Sequence, residues 1–431
     1  MADLGTLLIA TYVGLTRLAT PAGWAIVGWR RLLDKEDPRR WRERLGDSAL
    51  PRPTGRLAWV HAVSVGETVA ALPLIARLTA AGVKVLVTSV TTTSATLAGA
   101  QGSEAFRHQF APLDIAPAVE RFLDHWRPDV AVFVESELWP VTIDGLHRRG
   151  IPLIVSNGRM SPRSARRWQM FPTVARAVFS RLPLVLAQSE GDADRFKALG
   201  APSVRSVGNI KFDAEVPEAP AEVAAALGVA IGERPVFLAA STHPGEDEVV
   251  LEAFARLKVQ HPETLLIILP RHPDRGGAIA AQAAGAGFEV VRRSLDAALP
   301  TPTTAVYVAD TVGESGSFYR AATVALIGGS LVDGIGGHNP IEPARLGAAA
   351  VSGPYFANWL DVYAAFLDAD GLVLARTAEE LAEAAARLIA DPARRACQSA
   401  AAATVVERLA GAVGRTARAV LDRLGPAERQ P

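Results

Sequence analysis

Short runs of apolar residues alternate with helix-like patterns from residue 56 onward. Strands of a parallel sheet that is buried on both faces have such runs, and helices connect them. In the first half a helix is predicted over residues 68–80, and strands are predicted over residues 57–63, 84–90, 130–134, 152–156, 184–188 and 204–208. We therefore expect an α/β domain built on a doubly wound parallel sheet.

The pattern starts again after a proline-rich, acidic segment at residues 215–222, which is typical of a linker. The second set of predicted strands covers residues 235–241, 264–270, 288–293, 305–310, 323–329 and 372–376, and a helical tail follows over 377–424. The sequence thus predicts two doubly wound domains of similar size facing each other across a cleft. Their expected boundaries are 46–214 and 223–425, with a short tail at 426–431.

The first 45 residues differ from the rest of the chain. Residues 4–29 are apolar with one charge, Arg17, and a basic cluster follows: Arg30, Arg31, Lys35, Arg39, Arg40, Arg42 and Arg44. A membrane-spanning helix needs ~20 apolar residues, but Arg17 and Pro21 interrupt this stretch. We expect residues 1–45 to form a single-pass or monotopic anchor with its basic cluster on the cytoplasmic side. The alternative is a buried pair of helices.

Composition excludes several classes of function. The 45 lysines and arginines balance 45 acidic residues, which argues against a general nucleic-acid binder. A single cysteine, Cys397, excludes a disulfide framework and a cysteine-rich metal site. The D-x-D patterns at Asp192 and Asp368 fall in helical or turn patterns, so we interpret them as solvated surface. We therefore expect no metal and no cofactor.

Ligands of open α/β sheets bind beyond the carboxyl ends of the strands, so motifs at strand-to-helix junctions carry the most weight. Glu67 ends the first such motif, where it is either a helix-start carboxylate or a general base. Glu135 and Glu137 end a later strand, where they are either helix-start carboxylates or functional groups. Arg271 follows the most apolar strand of the second half, where its guanidinium either binds a phosphate or forms a surface salt bridge.

Two glycine-containing junctions complete this set. Residues 310–316 place a glycine between a strand and a helix start, which alone is a weak indication of anion binding. Residues 328–343 are more specific, because several glycines precede Asn339 and Pro340, which favour a helix start. Glu342 follows in the first turn, where it could accept hydrogen bonds from ribose hydroxyls.

Taken in order, these motifs resemble those of the bacterial transferases of 3-deoxy-D-manno-octulosonic acid (Kdo), enzymes of lipopolysaccharide synthesis. The resemblance covers nearly the whole chain. It rests on HAVSVGE (61–67), VESELWP (134–140), NGRMSPRS (157–164), QSEGDADRF (188–196), GNIKFD (208–213), STHPGED (241–247), LPRHPDR (269–275), DTVGE (310–314) and GGHNPIEP (336–343).

The resemblance implies a GT-B fold, with two Rossmann-like domains, and an inverting glycosyltransferase that needs no catalytic metal. The donor would be CMP-Kdo and the acceptor a lipid A precursor in the membrane. It also implies a place on the cytoplasmic face of a Gram-negative inner membrane, in contact with its lipid.

By the same resemblance, Glu67 is the general base, and Glu137 and Lys211 stabilise the transition state. The choice of Glu137 over Glu135 stays open. A free glutamate has a pKa of about 4.3, which predicts an ionised Glu67 at neutral pH. The residues implied to contact CMP are Pro270, Arg271, Val312, Gly313, Glu314, Asn339, Pro340, Ile341 and Glu342.

Two alternatives remain at this level. One is another GT-B sugar-nucleotide enzyme, such as a UDP-sugar transferase or epimerase. The other is a non-catalytic, membrane-tethered protein that binds a sugar nucleotide.

Overall fold

The chain folds into two α/β units, each with its own parallel sheet. The structure, a computed structural model, describes residues 4–33, 36–100, 105–213, 216, 220–295 and 297–425. The first unit comprises Met1–Ala214 and Leu409–Pro431, and the second comprises Glu215–Arg408.

The first unit is built on a seven-stranded parallel sheet with the strand order β3-β2-β1-β4-β5-β6-β7. Its strands are β1 (Leu57–His61), β2 (Lys84–Ser89), β3 (Phe106–Phe110), β4 (Val130–Val134), β5 (Leu153–Gly158), β6 (Leu184–Ala187) and β7 (Val204–Ser206). The strand order reverses between β1 and β4. Loops that leave such a pair diverge and open a crevice at the carboxyl ends, which is where ligands bind in this class of sheet.

Helices cover both faces of this sheet. They are α1 (Leu4–Leu18), α2 (Thr20–Leu32), α3 (Val65–Ala80), α4 (Thr92–Ala100), α5 (Ala116–Trp126), α6 (Pro140–Arg148), α7 (Pro162–Gln169), α8 (Pro172–Phe179) and α9 (Glu190–Ala198). Alternate residues along β1 enter different cores: Leu57 and Trp59 pack with α5, α6 and α8, whereas Ala58 and Val60 pack with α3. Both faces of the sheet are therefore buried, which explains the continuous apolar runs in the sequence.

The N-terminal helix α1 packs against the first unit along one face only. Its buried residues recur every three or four positions, as expected for one side of a helix: Gly5, Ile9, Val13 and Thr16. Large apolar side chains remain exposed elsewhere on α1, α2 and the residue after α2: Leu4, Leu7, Leu8, Tyr12, Leu15, Leu18, Trp24, Ile26, Trp29, Leu32 and Leu33. Among the described residues, no helix is long and apolar enough to cross a membrane.

Part of the expected basic cluster is internal to the first unit. Arg44 is only 3% exposed, and its guanidinium lies 3.0 Å from Glu36, which also pairs with Arg30 at 2.6 Å. Arg40 pairs with Glu43 at 2.8 Å. Arg44 therefore belongs to the interior of this unit and not to an exposed basic cluster, and its carboxylate partner offsets the cost of burying a guanidinium. Lys35 lies outside the described residues.

The last helix of the chain returns to the first unit. Helix α18 (Ala412–Leu424) buries Val413, Ala417 and Val420 in the core formed by β1, β4 and α3. The backbone N–H groups of Gly411 and Val413 donate to the two carboxylate oxygens of Asp213 at 2.6 and 2.7 Å. The sequence-based domain boundary at 425 therefore differs from the structure, because periodicity does not show which sheet an amphipathic helix covers.

The second unit contains another seven-stranded parallel sheet, with the order β10-β11-β9-β8-β12-β13-β14. Its strands are β8 (Val236–Thr242), β9 (Leu265–Pro270), β10 (Val290–Arg292), β11 (Val306–Val308), β12 (Val324–Ile327), β13 (Ala349–Ser352) and β14 (Val373–Leu374). Its helices are α10 (Ala221–Ile231), α11 (Glu246–Gln260), α12 (Gly276–Gly285), α13 (Ser315–Ala321), α14 (Ile341–Arg345), α15 (Leu360–Leu367), α16 (Ala378–Ala390) and α17 (Pro392–Leu409). Here the order reverses between β8 and β12.

The structure adds two strands to those predicted from the sequence and shortens the predicted linker. Strand β3 was missed because Arg107, His108 and Gln109 interrupt its apolar pattern, and β13 was missed because it is short and rich in alanine. Helix α10 begins at Ala221, inside the predicted linker 215–222. Much of that linker and the tail at 426–431 lie outside the described residues.

Candidate active site

Glu67 lies in the first turn of α3, directly after β1. Ser64 is the N-cap of this helix: its hydroxyl oxygen accepts from the Glu67 backbone N–H at 3.2 Å and its O–H donates to Glu67 Oε1 at 2.8 Å. The backbone N–H of Val63 donates to Glu67 Oε2 at 2.8 Å. This reciprocal arrangement is a capping box in which the N–H that meets the glutamate lies one residue before the N-cap, so the helix-start interpretation of Glu67 holds locally.

The environment of Glu67 changes its acidity. Its side chain is only 8% exposed. Burial raises the pKa of Glu67 to about 7, against the opposing effect of the two hydrogen bonds, and the charges of Glu135 and Glu137 raise it further. The sequence-based expectation of a fully ionised Glu67 at neutral pH is therefore wrong. A carboxylate with a pKa near the working pH is well suited to general base catalysis.

Glu135 and Lys211 form an ion pair beside this site. Lys211 Nζ lies 3.1 Å from Glu135 Oε1. Glu135 follows β4 with a φ of 62°, a left-handed conformation that is rare for a glutamate, and its N–H donates to the Ser156 carbonyl at 2.8 Å. Glu137, the residue preferred from the sequence, accepts instead from the Trp139 indole N–H at 2.9 Å. The structure thus brings Lys211 to Glu135, and the role of Glu137 stays a prediction.

Two asparagines that the sequence analysis did not single out hold the segment carrying Lys211. Asn157 is fully buried, has a φ of 57°, and accepts from the Ile210 N–H at 3.0 Å through Oδ1. Asn209 Oδ1 accepts from the Lys211 N–H at 2.9 Å. Their positions inside NGRMSPRS and GNIKFD were the only available signal, since a fixed asparagine side chain cannot be recognised from periodicity.

His61, at the end of β1, is fully buried, and burial lowers its pKa to about 3. Its Nδ1 lies 2.8 Å from the Thr88 hydroxyl, and its ring meets the Trp139 ring edge-on at 4.4 Å. The imidazole is therefore neutral at physiological pH. It supports Trp139 and hence the loop that carries Glu135 and Glu137.

In the second unit, the predicted donor-binding residues follow β9, β11 and β12. Pro270 is the last residue of β9, and Arg271 is exposed with its backbone N–H on the Thr242 carbonyl at 3.0 Å. Val312 is 85% exposed and Gly313 has a φ of 88°. Glu314 pairs with Arg293 at 2.8 Å, which lowers the pKa of Glu314.

The glycine loop after β12 leads into the short helix α14. Asn339 Oδ1 accepts from the Ile341 N–H at 3.0 Å. The helix begins at Ile341 and its N-cap is Pro340, so the expectation that Asn339 caps a helix starting at Pro340 is wrong by one residue. Glu342 is partly buried, and burial raises its pKa. Gly328 has no room for a side chain: an added Cβ would lie 2.5 Å from the Ala240 carbonyl oxygen.

Glu246, at the end of the 241–246 junction, is a further residue to which sequence reasoning assigned no role. It is fully buried, and its carboxylate accepts from four backbone N–H groups at 2.7–2.9 Å: those of His243, Gly329, Ser330 and Leu331. The carboxylate thus joins the turn after β8 to the glycine loop after β12. Glu67 likewise lies in the first turn of the helix that follows its strand, but one N–H and one hydroxyl donate to its carboxylate. Glu67 therefore retains acceptor capacity that Glu246 does not.

Two parallel seven-stranded sheets with polar residues at their carboxyl ends define the class of GT-B-type α/β proteins. A solved calicheamicin glycosyltransferase, CalG4, has this architecture, and it matches the chain with a TM-score of 0.52 and 14% identity over 87% of this chain and all of its own. At that identity the likeness shows the fold alone.

Sequence comparison identifies the family. Residues 39–214 match the family model of the 3-deoxy-D-manno-octulosonic-acid transferases. The chain is 36% identical to the 3-deoxy-D-manno-octulosonic acid transferase of Bordetella pertussis, over 87% of this chain and 89% of the relative. It is 35% identical to a probable mitochondrial 3-deoxy-D-manno-octulosonic acid transferase of Arabidopsis thaliana, over 90% of both. The chain belongs to the Kdo transferases and is a glycosyltransferase.

Proposed function

We propose that the enzyme transfers Kdo from CMP-Kdo to a hydroxyl group of a lipid A precursor with inversion, and that Glu67 is the general base. The observation that carries this proposal is the buried Glu67 carboxylate with its pKa of about 7 at the reversal point of the first sheet. Family membership and the motif order support the choice of donor and acceptor.

In the proposed reaction the acceptor hydroxyl oxygen attacks the anomeric carbon of Kdo. Glu67 takes the hydroxyl proton, and the bond from the anomeric carbon to the phosphate oxygen breaks, so CMP leaves from the opposite face. Such a base must lie within about 2.6–3.2 Å of the hydroxyl. Since its Oε2 already accepts from Val63 and its Oε1 from Ser64, the carboxylate is held in one orientation before the substrate arrives.

Lys211 supplies positive charge next to the same site. Removing a fixed charge or hydrogen-bond donor from a developing transition state typically lowers the rate by about 10²–10³-fold. Arg271 and the segments 312–314 and 339–342 would contact CMP, with the guanidinium on the phosphate. The proposed reaction requires no resident cofactor.

We also propose that the first unit docks onto the surface of the membrane that holds the acceptor. The exposed apolar residues of α1 and α2 continue at Met170 and Phe171, which are 66% and 63% exposed and lie at the start of α8, against which α1 packs. The exposed arginines Arg163, Arg166 and Arg167 on α7 immediately precede them. Apolar side chains flanked by arginines are typical of a monotopic surface on anionic lipid.

The test of the donor and acceptor is mass spectrometry of products from purified enzyme, CMP-Kdo and a lipid A precursor. The proposal predicts an acceptor heavier by one or more Kdo units, together with released CMP. Turnover of UDP-sugars without any use of CMP-Kdo would instead support the alternative of another GT-B enzyme. Binding of CMP-Kdo without product would support the non-catalytic alternative.

A further inference from the structure

Two histidines in the second unit contact each other through their ring nitrogens. His243 Nε2 lies 2.9 Å from His338 Nε2, and the two rings are nearly parallel, with an angle of 15°. A hydrogen bond between two Nε2 atoms requires one of them to carry a hydrogen and the other to offer its lone pair. The contact therefore holds one proton between two neutral imidazoles.

The two imidazoles come from segments that other contacts of the fold hold in place. His243 follows β8, His338 belongs to the glycine loop after β12, and the buried Glu246 carboxylate ties these segments together through its four backbone N–H donors. The Tyr363 O–H of α15 also donates to the His338 carbonyl at 3.2 Å. Hydrogen bonds thus hold the pair in a fixed geometry at the carboxyl ends of the two central strands.

The groups around the pair are predominantly positive. Electrostatic interactions with Arg271 and His272, which follow β9, lower the pKa of both imidazoles, and Arg275 lowers that of His243. The His272 ring stands 5.9 Å from the His243 ring. The two carboxylates close to His243 are already engaged, Glu246 by backbone N–H groups and Asp247 by Arg275. Burial and the nearby cations lower the pKa of His338 to about 4 and also lower that of His243.

An anion placed beside this pair would raise the pKa of the imidazoles, opposing the effect of burial and of the nearby cations. Its charge favours the protonated form of either imidazole, and a charge-assisted hydrogen bond to the anion is about twice as strong as a neutral one. The same end of the sheet carries Arg271 and the loop that ends in Asn339, both assigned above to the donor.

We infer that the His243–His338 pair binds an anionic group of the sugar nucleotide and takes up one proton from solvent as it does so. This inference rests on the proposed function, since the anion is the donor's phosphate or its sugar carboxylate. Donor binding would then weaken as the pH rises, because the uptake of a proton becomes less favourable.

Isothermal titration calorimetry in two buffers with different ionisation enthalpies measures that proton uptake. Cytidine, CMP and CMP-Kdo serve as probes with no anion, the phosphate alone, and both anions. Uptake with CMP assigns the pair to the phosphate, and additional uptake only with CMP-Kdo assigns it to the carboxylate. Either result supports the inference. The inference is overturned if the nucleotides bind and the proton uptake does not exceed the part that comes from the ionisation of CMP itself.

Glutamine variants separate the pair from its surroundings. His243→Gln and His338→Gln each keep a hydrogen-bonding group but leave one histidine that can take up the proton. The double variant should therefore abolish the uptake and weaken donor binding by about tenfold, as expected for one charge-assisted hydrogen bond. His261→Gln, at the end of α11 and outside this cluster, is the matched control and should behave as wild type. Uptake that persists in the double variant contradicts the inference.

The proposed function fails in a different way. If no cytidine nucleotide binds in either buffer, the donor assignment is wrong and the inference falls with it. If CMP-Kdo binds and is turned over without a proton-uptake difference between wild type and the double variant, only the inference is overturned.

Discussion

The ammonium group of Lys211 lies 3.1 Å from Oε1 of Glu135, whereas Glu137 accepts from the indole of Trp139. This ion pair holds a cation near Glu67, whose pKa is raised in part by Glu135 and Glu137. The geometry therefore gives the two carboxylates after β4 different partners, a distinction that their spacing in the sequence does not reveal.

Replacement of the lysine should affect turnover more than nucleotide binding. We expect Lys211→Met to lower kcat by about 10²–10³-fold, the usual effect of losing one fixed transition-state donor. The CMP Kd should change little. Lys197→Met is a suitable control, because Lys197 also pairs with an acid, Asp194 at 3.2 Å, on the exposed surface of α9. Equal kinetics in the two variants would remove Lys211 from its assigned role.

The pH–rate profile should have an acidic limb, in which kcat/KM falls as the pH drops below about 7. Glu67 must be deprotonated to accept a proton, so kcat/KM rises with pH and reaches a plateau above the pKa of about 7. Because the charges of Glu135 and Glu137 raise that pKa, Glu135→Gln and Glu137→Gln should each move the limb to lower pH. The variant with the larger loss of kcat identifies the second functional carboxylate, and a limb that stays in place in both variants contradicts the electrostatic argument.

Glu67 should lower the stability of the folded enzyme at alkaline pH. Its folded-state pKa lies above the unfolded value of 4.5, so the folded state binds more protons between these values and stability falls as the pH rises from about 4.5 to about 7. Glu67→Gln removes this dependence. Urea unfolding at about pH 5 and about pH 8 should show the variant gaining free energy of unfolding relative to wild type at the higher pH. A constant difference between the two proteins at both pH values would show that burial of Glu67 is not the cause.

The apolar surface of α1 and α2 should bind membranes. Trp29 is 63% exposed and Leu18 is 78% exposed. We expect Leu18→Glu and Trp29→Glu each to reduce cosedimentation with anionic vesicles by about tenfold or more, because burial of such a side chain is worth about 1.5–3 kcal/mol. Val229→Glu is the control, since Val229 is 87% exposed on α10. Vesicle binding that is lost equally in all three variants would contradict the assignment of this surface.

The sequence predicted the two-sheet architecture because each central strand is buried on both faces and leaves an unbroken apolar run. It did not predict β3, whose polar residues face specific partners: Gln109 Oε1 accepts from the Trp126 indole and His108 contacts Arg40. Likewise, Asp192 was interpreted as a solvated residue, but its Oδ1 accepts from the Met160 N–H at 2.8 Å and it is 4% exposed. Such tertiary hydrogen bonds have no signature in local periodicity.

The candidate site was predictable where a motif fixes a local geometry. The capping of α3 by Ser64 and the hydrogen bond from the Ile341 N–H to Asn339 at the start of α14 follow from short-range patterns. The raised pKa of Glu67, the Lys211–Glu135 pair and the Glu246 clamp could not be predicted, because each depends on side chains that are distant in sequence and on the degree of burial.

A second capping box in the chain offers a matched control for the proposed base. In α16, Thr377 accepts from the Glu380 N–H at 3.1 Å and the Arg376 N–H donates to Glu380 Oε2 at 2.6 Å. Two of the three contacts among Ser64, Glu67 and Val63 recur here, at the exposed start of a helix of the second unit. Glu380→Gln therefore reports the effect of altering a capping box alone.

The most direct test of the account is the rate of Kdo transfer by Glu67→Gln compared with wild type and Glu380→Gln. We predict that Glu67→Gln lowers kcat/KM by about 10²–10⁴-fold, the usual contribution of a general base. CMP affinity should be preserved in Glu67→Gln, and Glu380→Gln should retain the wild-type rate. Kdo transfer by Glu67→Gln at the wild-type rate would contradict the assignment of Glu67 as the base.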